Sequence, residues 1–149
     1  MTDLLFVYGT LRDQHLLSGV LGRPLRAGAQ HPAVAPGYAA IRYPGQVYPA
    51  LVRRPGGVAE GIALADLSAF ELELLDAFEG DGYRRAILPV MIGEELHEAY
   101  AFLPAAPIAE NGEPWSLVDW QARHKPKVLA SEIESAAVLR AKLIAIRSN

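Results

Sequence analysis

A chain of 149 residues, 51% hydrophobic and 21% charged, is long enough for one domain with a substantial core, short for two, and too apolar to stay disordered. A formal net charge of −3 with dispersed Lys and Arg leaves neither the basic stripe of a nucleic-acid binder nor the polybasic cluster of a membrane-surface protein. The lack of cysteine excludes disulfides, Cys-ligated zinc and a thiol nucleophile, no apolar run reaches membrane-spanning length, and "MTDLLFVYG" lacks the features of a secretion signal, so a soluble cytoplasmic protein is the expectation.

Residues 4–8 run apolar without alternation, which predicts a short strand buried on both faces. The segment "RDQHLLSGVLG" predicts a short helix, with Leu16, Leu17, Val20 and Leu21 at helical spacing. Prolines and glycines punctuate residues 23–57, and "VAPGYAAIRY", "QVYPALVRR" and "GVAEGIALA" each offer a strand-length segment. Pro49 marks an edge, a bulge or a strand terminus.

The clearest helix is "DLSAFELELLDAFEG". Ser68 and Glu71 have capping-box spacing, Leu67, Phe70, Leu74, Leu75 and Phe78 form one apolar face, and Gly80 suits a left-handed residue beyond the end. "YRRAILPVMI" and "LHEAYAFLP" read as a hairpin around "GEE". A last helix is expected over "SEIESAAVLRAKLIAIR", where Ser131 and Glu134 offer another capping box. The pattern is α+β in a single domain over 1–149, with strands dominating the first two-thirds.

The segment "LDAFEGDGYRR" concentrates acids, a tyrosine and two arginines around one helix end. Glu79 lies at the flank of the apolar face and at the negative end of the helix dipole. Both effects raise a carboxyl pKa toward the range useful for acid–base work. On position alone, a solvated glutamate beside a glycine cap is the simpler reading. Asp76 is placed to pair with Arg84 or Arg85. In "YGTLR", a glycine followed by exposed amides and the Thr10 hydroxyl can hold a carboxylate or an oxyanion, or can be an ordinary turn. It lacks the glycine spacing and lysine of a phosphate loop.

His15, His31, His97 and His124 have no metal-ligand spacing, and no serine stands in a nucleophile elbow. Trp115 and Trp120 either line a pocket or, as indoles more often do, lock a late loop onto the core. Tyr43, Tyr48 and Tyr100 are core residues or polar tips in a cavity.

Taken together, "VYGTLR", "YPALV", "EGIALADLSAFELELLDAFEGDGYRRAILPV" and "AYAFLP", in this order, resemble the γ-glutamylcyclotransferase-like family, including its γ-glutamylamine cyclotransferase and plant defence-gene-like branches. The resemblance covers residues 4–104, and the tail 105–149 matches less clearly. It implies a small mixed β-barrel-like sheet flanked by helices, with a pocket between the first-strand loop and the helix carrying Glu79. It also implies that Tyr8, Gly9, Thr10 and Leu11 form the substrate-binding loop and that Glu79 is the catalytic acid–base, with Tyr83, Arg85 and Tyr100 read as pocket support or pocket wall. The family reaction closes a small γ-glutamyl compound into 5-oxoproline and expels an amine, with no metal and no organic cofactor. The expected partner is therefore a small γ-glutamyl substrate, not nucleic acid or membrane, for a monomer or homodimer. The alternatives are a binding module that senses a small acid in the same pocket, or a structural protein with no pocket at all.

Overall fold

In the computed structural model, which describes residues 3–148, Leu5–Val7 forms strand β1 with all three side chains buried. Alternation explains the unbroken apolar run. Leu5 and Val7 face the helices, whereas Phe6 and Tyr8 point into a sheet closed on itself. The other strands are β2 (Gln30–Arg42), β3 (Pro49–Leu64), β4 (Tyr83–Ile92) and β5 (Glu95–Pro104). They close in the order β1-β3-β2-β4-β5. Leu5 opposes Leu64 of β3 antiparallel and Tyr100 of β5 parallel, and the Tyr100 amide donates to the Leu4 carbonyl at 2.9 Å to complete the ring. Alanines at 33, 35, 59, 63, 99 and 101 in the interior of so small a barrel leave the space that Phe6 and Tyr8 fill.

The two strands expected within residues 46–65 are one, β3, paired along its length with β2. The register slips between Pro36 and Tyr38, where residues 54–57 loop out opposite Gly37, so the Pro-Gly-Gly interruption is a large bulge and not a strand end. Pro49 stands at the strand's first residue, where a missing amide hydrogen costs no ladder bond.

Four helices lie outside the barrel: α1 (Gln14–Leu21), α2 (Ala69–Glu79), α3 (Leu117–Arg123) and α4 (Lys125–Arg147). Asp13 caps α1 by accepting the Leu16 amide at 3.0 Å. Ser68 and Glu71 form the reciprocal capping box at the start of α2, and the Glu71 carboxylate also takes both ends of the Arg23 guanidinium at 2.7 and 2.8 Å. Gly80 ends α2 at φ 77° and ψ −165°, which is not the left-handed helical conformation expected but an extended positive-φ region open only to glycine.

The last helix begins earlier than its spacing predicts. Ser131 does not cap it; its hydroxyl donates to the Val128 carbonyl one turn back, inside a helix that starts at Lys125 with Pro126 in its first turn. Proline there loses no helical hydrogen bond and was the true start signal. α4 packs on α1, α2 and α3. A second core lies between the barrel wall and this helical layer, built on Leu5, Val7, Leu16, Leu17, Leu75 and Trp120. Among the described residues no helix is long and apolar enough to cross a membrane.

Candidate active site

Where β1 ends, the chain turns sharply and one wall of a cavity of about 160 Å³ begins. Thr10–Arg12 is a single 3₁₀ turn, closed by the Arg12 amide on the Gly9 carbonyl at 3.1 Å and the Asp13 amide on the Thr10 carbonyl at 2.9 Å. The leading amides of such a turn have no partner within it. Gly9 is needed for close approach: a β-carbon there would stand 2.8 Å from Pro49 Cγ, the first residue of β3. The turn thus sits directly against the mouth of the barrel.

The opposite wall is the end of α2. Phe78 and Glu79 line the cavity with Tyr8 to Leu11, Tyr48 and Tyr83. Among the described residues, the Glu79 side chain takes part in no hydrogen bond and no ion pair. Its carboxyl is pushed up to about 7, first by burial and second by the negative charge of Glu132, which lines the same cavity from α4. A carboxyl balanced near neutrality can both take and return a proton.

The tyrosines are oriented by fixed acceptors. Tyr8, buried inside the barrel, donates its hydroxyl to the Phe102 carbonyl at 2.5 Å. Tyr83 donates to the Pro49 carbonyl at 2.6 Å, and Tyr48 donates to the Glu132 carboxylate. All three phenols lie well above their ordinary pKa, in each case first because they are buried, with the charge of Glu79 adding to the shift. They remain neutral hydrogen-bond donors.

Of the residues singled out from the sequence, Tyr8, Gly9, Thr10, Leu11, Glu79 and Tyr83 lie around this one cavity. Arg85 and Tyr100 do not. Arg85 is held by both oxygens of Asp76 at 2.8 and 3.1 Å and lies 4.5 Å from the Tyr100 ring centroid, in a recess on the far side of Tyr83 and Phe102. Arg85 and not Arg84 is therefore the partner of Asp76. The strand alternation that sends Tyr83 toward the cavity does not dictate where so long a side chain as Arg85 finds its counter-charge.

The tryptophans stay outside the cavity. Trp115 donates to the Val47 carbonyl at 2.9 Å, beside Tyr48, and Trp120 is fully buried in the outer core. His15 meets Lys125 Nζ at 2.9 Å, and neither it nor any other histidine lines the cavity. Among the described residues no group of three or more His, Asp and Glu side chains is arranged to hold a metal ion.

Glu132 is the site residue that the sequence concealed. It belongs to the tail, and the apolar residues of α4 are spread around the helix, so no inward face announces itself. The tail is nonetheless tied to the side of the cavity formed by the Gly9–Leu11 turn. Asp13, at the foot of the 3₁₀ turn, is nearly fully buried and takes Lys125 at 2.8 Å and Gln121 at 2.8 Å. Burial alone would raise its pKa, but these two partners and the Leu16 amide together hold it below the ordinary value.

Comparison with known proteins agrees with this architecture. The family profile described as "Gamma-glutamyl cyclotransferase, AIG2-like" matches residues 5–122. AIG2-like protein A of Arabidopsis thaliana is 29% identical over 128 residues, 83% of this chain and 75% of that protein. AIG2-like protein C of the same plant is 30% identical over 125 residues, 81% of this chain and 70% of that protein. A solution structure of an Arabidopsis thaliana protein superposes with a TM-score of 0.66 at 25% identity, covering 87% of this chain and 78% of that one. An AIG2-like protein from Mus musculus shares the fold with a TM-score of 0.54 at 18% identity, over 77% of this chain and 86% of that one.

Proposed function

Because the chain belongs to the AIG2-like γ-glutamyl cyclotransferase family, we propose that it is an enzyme that converts a small γ-glutamyl amide to 5-oxoproline and a free amine, with Glu79 as general acid–base. The substrate supplies its own nucleophile, so neither a serine nor a cysteine is needed. The enzyme's tasks are to fold the glutamyl chain until its α-amine meets its γ-carbonyl, and to move two protons from that amine to the leaving nitrogen.

Ionised Glu79 takes a proton from the substrate's α-ammonium. The freed amine forms a C–N bond to the γ-carbon, and the carbonyl pair moves onto oxygen. When that pair returns, the original amide C–N bond breaks and Glu79 delivers its proton to the departing nitrogen. The surplus proton left on the ring nitrogen then passes through the again-ionised Glu79 to the freed amine, which leaves as an ammonium. The enzyme ends as it began. Amides and the hydroxyl of the Gly9–Leu11 turn would hold the α-carboxylate or the developing oxyanion. Tyr8 and Tyr83, neutral and fixed by backbone carbonyls, would shape the pocket walls. Arg85 and Tyr100 would act from outside, by holding Asp76 and the end of α2 in place.

The observation that carries this assignment is Glu79 itself: a carboxyl without a counter-ion, facing the substrate turn across a small cavity and held near neutrality by its surroundings. The test is 5-oxoproline release from a panel of γ-glutamyl amines, amino acids and dipeptides, with wild type and Glu79→Gln in parallel. Release by wild type with a loss of 10³-fold or more in the variant is expected, at the upper end of a general acid–base contribution joined to lost charge. A Glu79→Gln variant that turns over at a comparable rate would remove Glu79 from the mechanism. Tight binding of 5-oxoproline with no release from any substrate would favour a binding module on the same fold.

A further inference from the structure

From the arrangement of Glu132 and Tyr48 we infer that Glu132 is the specificity residue for the substrate's ammonium group, a role contributed by the C-terminal helix and resting on the function proposed above. The cavity lining contains no Lys, Arg or His, yet two carboxylates enter it, Glu79 from α2 and Glu132 from α4. Among the described residues neither takes part in an ion pair. Tyr48 donates to Oε1 of Glu132 and leaves Oε2 without a hydrogen bond.

The remaining polar groups point the same way. The hydroxyl hydrogens of Tyr8, Tyr48 and Tyr83 are all engaged with fixed acceptors, so these side chains have no donor left for a ligand. What the cavity offers from its side chains is negative charge and lone pairs, with the Thr10 hydroxyl as the exception. Two partly desolvated carboxylates repel each other unless the ligand brings a positive charge between them. An ammonium has three donors and can bridge both.

The division of labour follows from which acid is pinned. Glu132 is pinned by Tyr48 and serves as the anchor, while Glu79, whose side chain is unbonded, is free to accept the proton. Glu132 also keeps Glu79 a better base, because a neighbouring negative charge favours the protonated form. The groups facing Glu79 are Tyr8 just beyond β1, Tyr48 from the β2–β3 loop, Tyr83 from β4 and Glu132 from α4: three phenols held neutral and one acid.

The experiment compares two ligands that differ only in the α-ammonium: a γ-glutamyl amide and the corresponding glutaryl amide, which lacks it. Affinities are measured by calorimetry in Glu79→Gln, which holds the first ligand without consuming it, and again after adding Glu132→Gln or Glu132→Asp. Glutamine keeps the shape and the acceptor for Tyr48; aspartate keeps the charge. Glu132→Gln is expected to weaken the γ-glutamyl amide by about 10-fold or more while leaving the glutaryl amide within about 2-fold, as loss of one charge-assisted bond implies. Glu132→Asp should recover part of that loss. Equal weakening of both ligands, or of neither, would overturn the role of Glu132 and leave the cyclotransferase reading standing. If Glu79→Gln binds no γ-glutamyl compound while remaining folded by circular dichroism, the proposed function falls, and this inference with it.

Discussion

At the scale of single residues, the proposed role of Glu79 sets activity against stability, and the sign follows from its pKa. Its carboxyl lies near 7 in the fold against an ordinary value of 4.5. Below about pH 4.5 it is protonated whether the chain is folded or not, and it costs nothing. Between 4.5 and 7 the unfolded chain ionises it while the fold retains the proton, so stability falls as pH rises; above 7 the full cost is present. Glu79→Gln should therefore be the more stable protein at pH 8, by about 1–3 kcal/mol, with the gain disappearing near pH 4. Urea denaturation at the two pH values reads this directly, and an advantage that is the same at both would show that the carboxyl is not perturbed. The same shift predicts an acid limb in kcat/KM near pH 7, because the proposed mechanism requires an ionised Glu79 in the free protein. In Glu132→Gln that limb should move to lower pH, since the neighbouring charge that raises it has gone. A limb that stays in place would mean that burial alone sets it.

Single elements were legible in the sequence to different degrees, for physical reasons. Ser68, Glu71 and the spacing of Leu74, Leu75 and Phe78 all specify one helix, and α2 forms over Ala69–Glu79. β4 and β5 flank their turn as the pattern of residues 83–104 predicts. β3 misled because proline and glycine usually end strands, whereas here the surrounding barrel carries the ladder across the bulge. α4 misled because a serine–glutamate pair inside a helix resembles a cap, and only Pro126 distinguished the true start. The placement of α4 depends on a contact that no local pattern encodes. A β-carbon on Gly19 of α1 would stand 2.4 Å from Cγ1 of Ile133, next to Glu132, and Arg140 donates to the Val20 carbonyl at the end of α1 at 2.9 Å. Gly19→Val should push these helices apart, with a loss of about 1–3 kcal/mol from overpacking. It should also raise KM more than it lowers kcat, because Glu132 moves while Glu79 and the Gly9–Leu11 turn remain. Unchanged stability and KM would show that α1 and α4 can separate without cost.

For the whole molecule, the candidate pocket is assembled from both ends of the chain. β1 and its turn supply one wall, α2 the facing wall, and α4 closes the third side with Glu132. The motif-bearing two-thirds of the sequence indicated the first two walls, since their residues recur in a recognisable order. The third was not legible because its function rests on tertiary placement of a single glutamate. Trp120 is what fastens this tail to the barrel: it is fully buried in the cluster that also holds Leu5, Val7, Leu16 and Leu75. Truncating a buried tryptophan costs about 3–5 kcal/mol. If the tail and barrel form one cooperative unit, Trp120→Ala must lower the stability of both by the same amount. The chain's two tryptophans, Trp115 and Trp120, lie in the tail, so in the variant Trp115 alone reports the tail by fluorescence. Amide exchange in β4 and β5 reports the barrel. Equal losses by the two probes are expected, together with weakened substrate binding, because Tyr48 is positioned through the Trp115 bond to Val47. A tail that melts while the strands keep their protection would show the barrel to be an independent fold, with α4 acting as a detachable wall of the site.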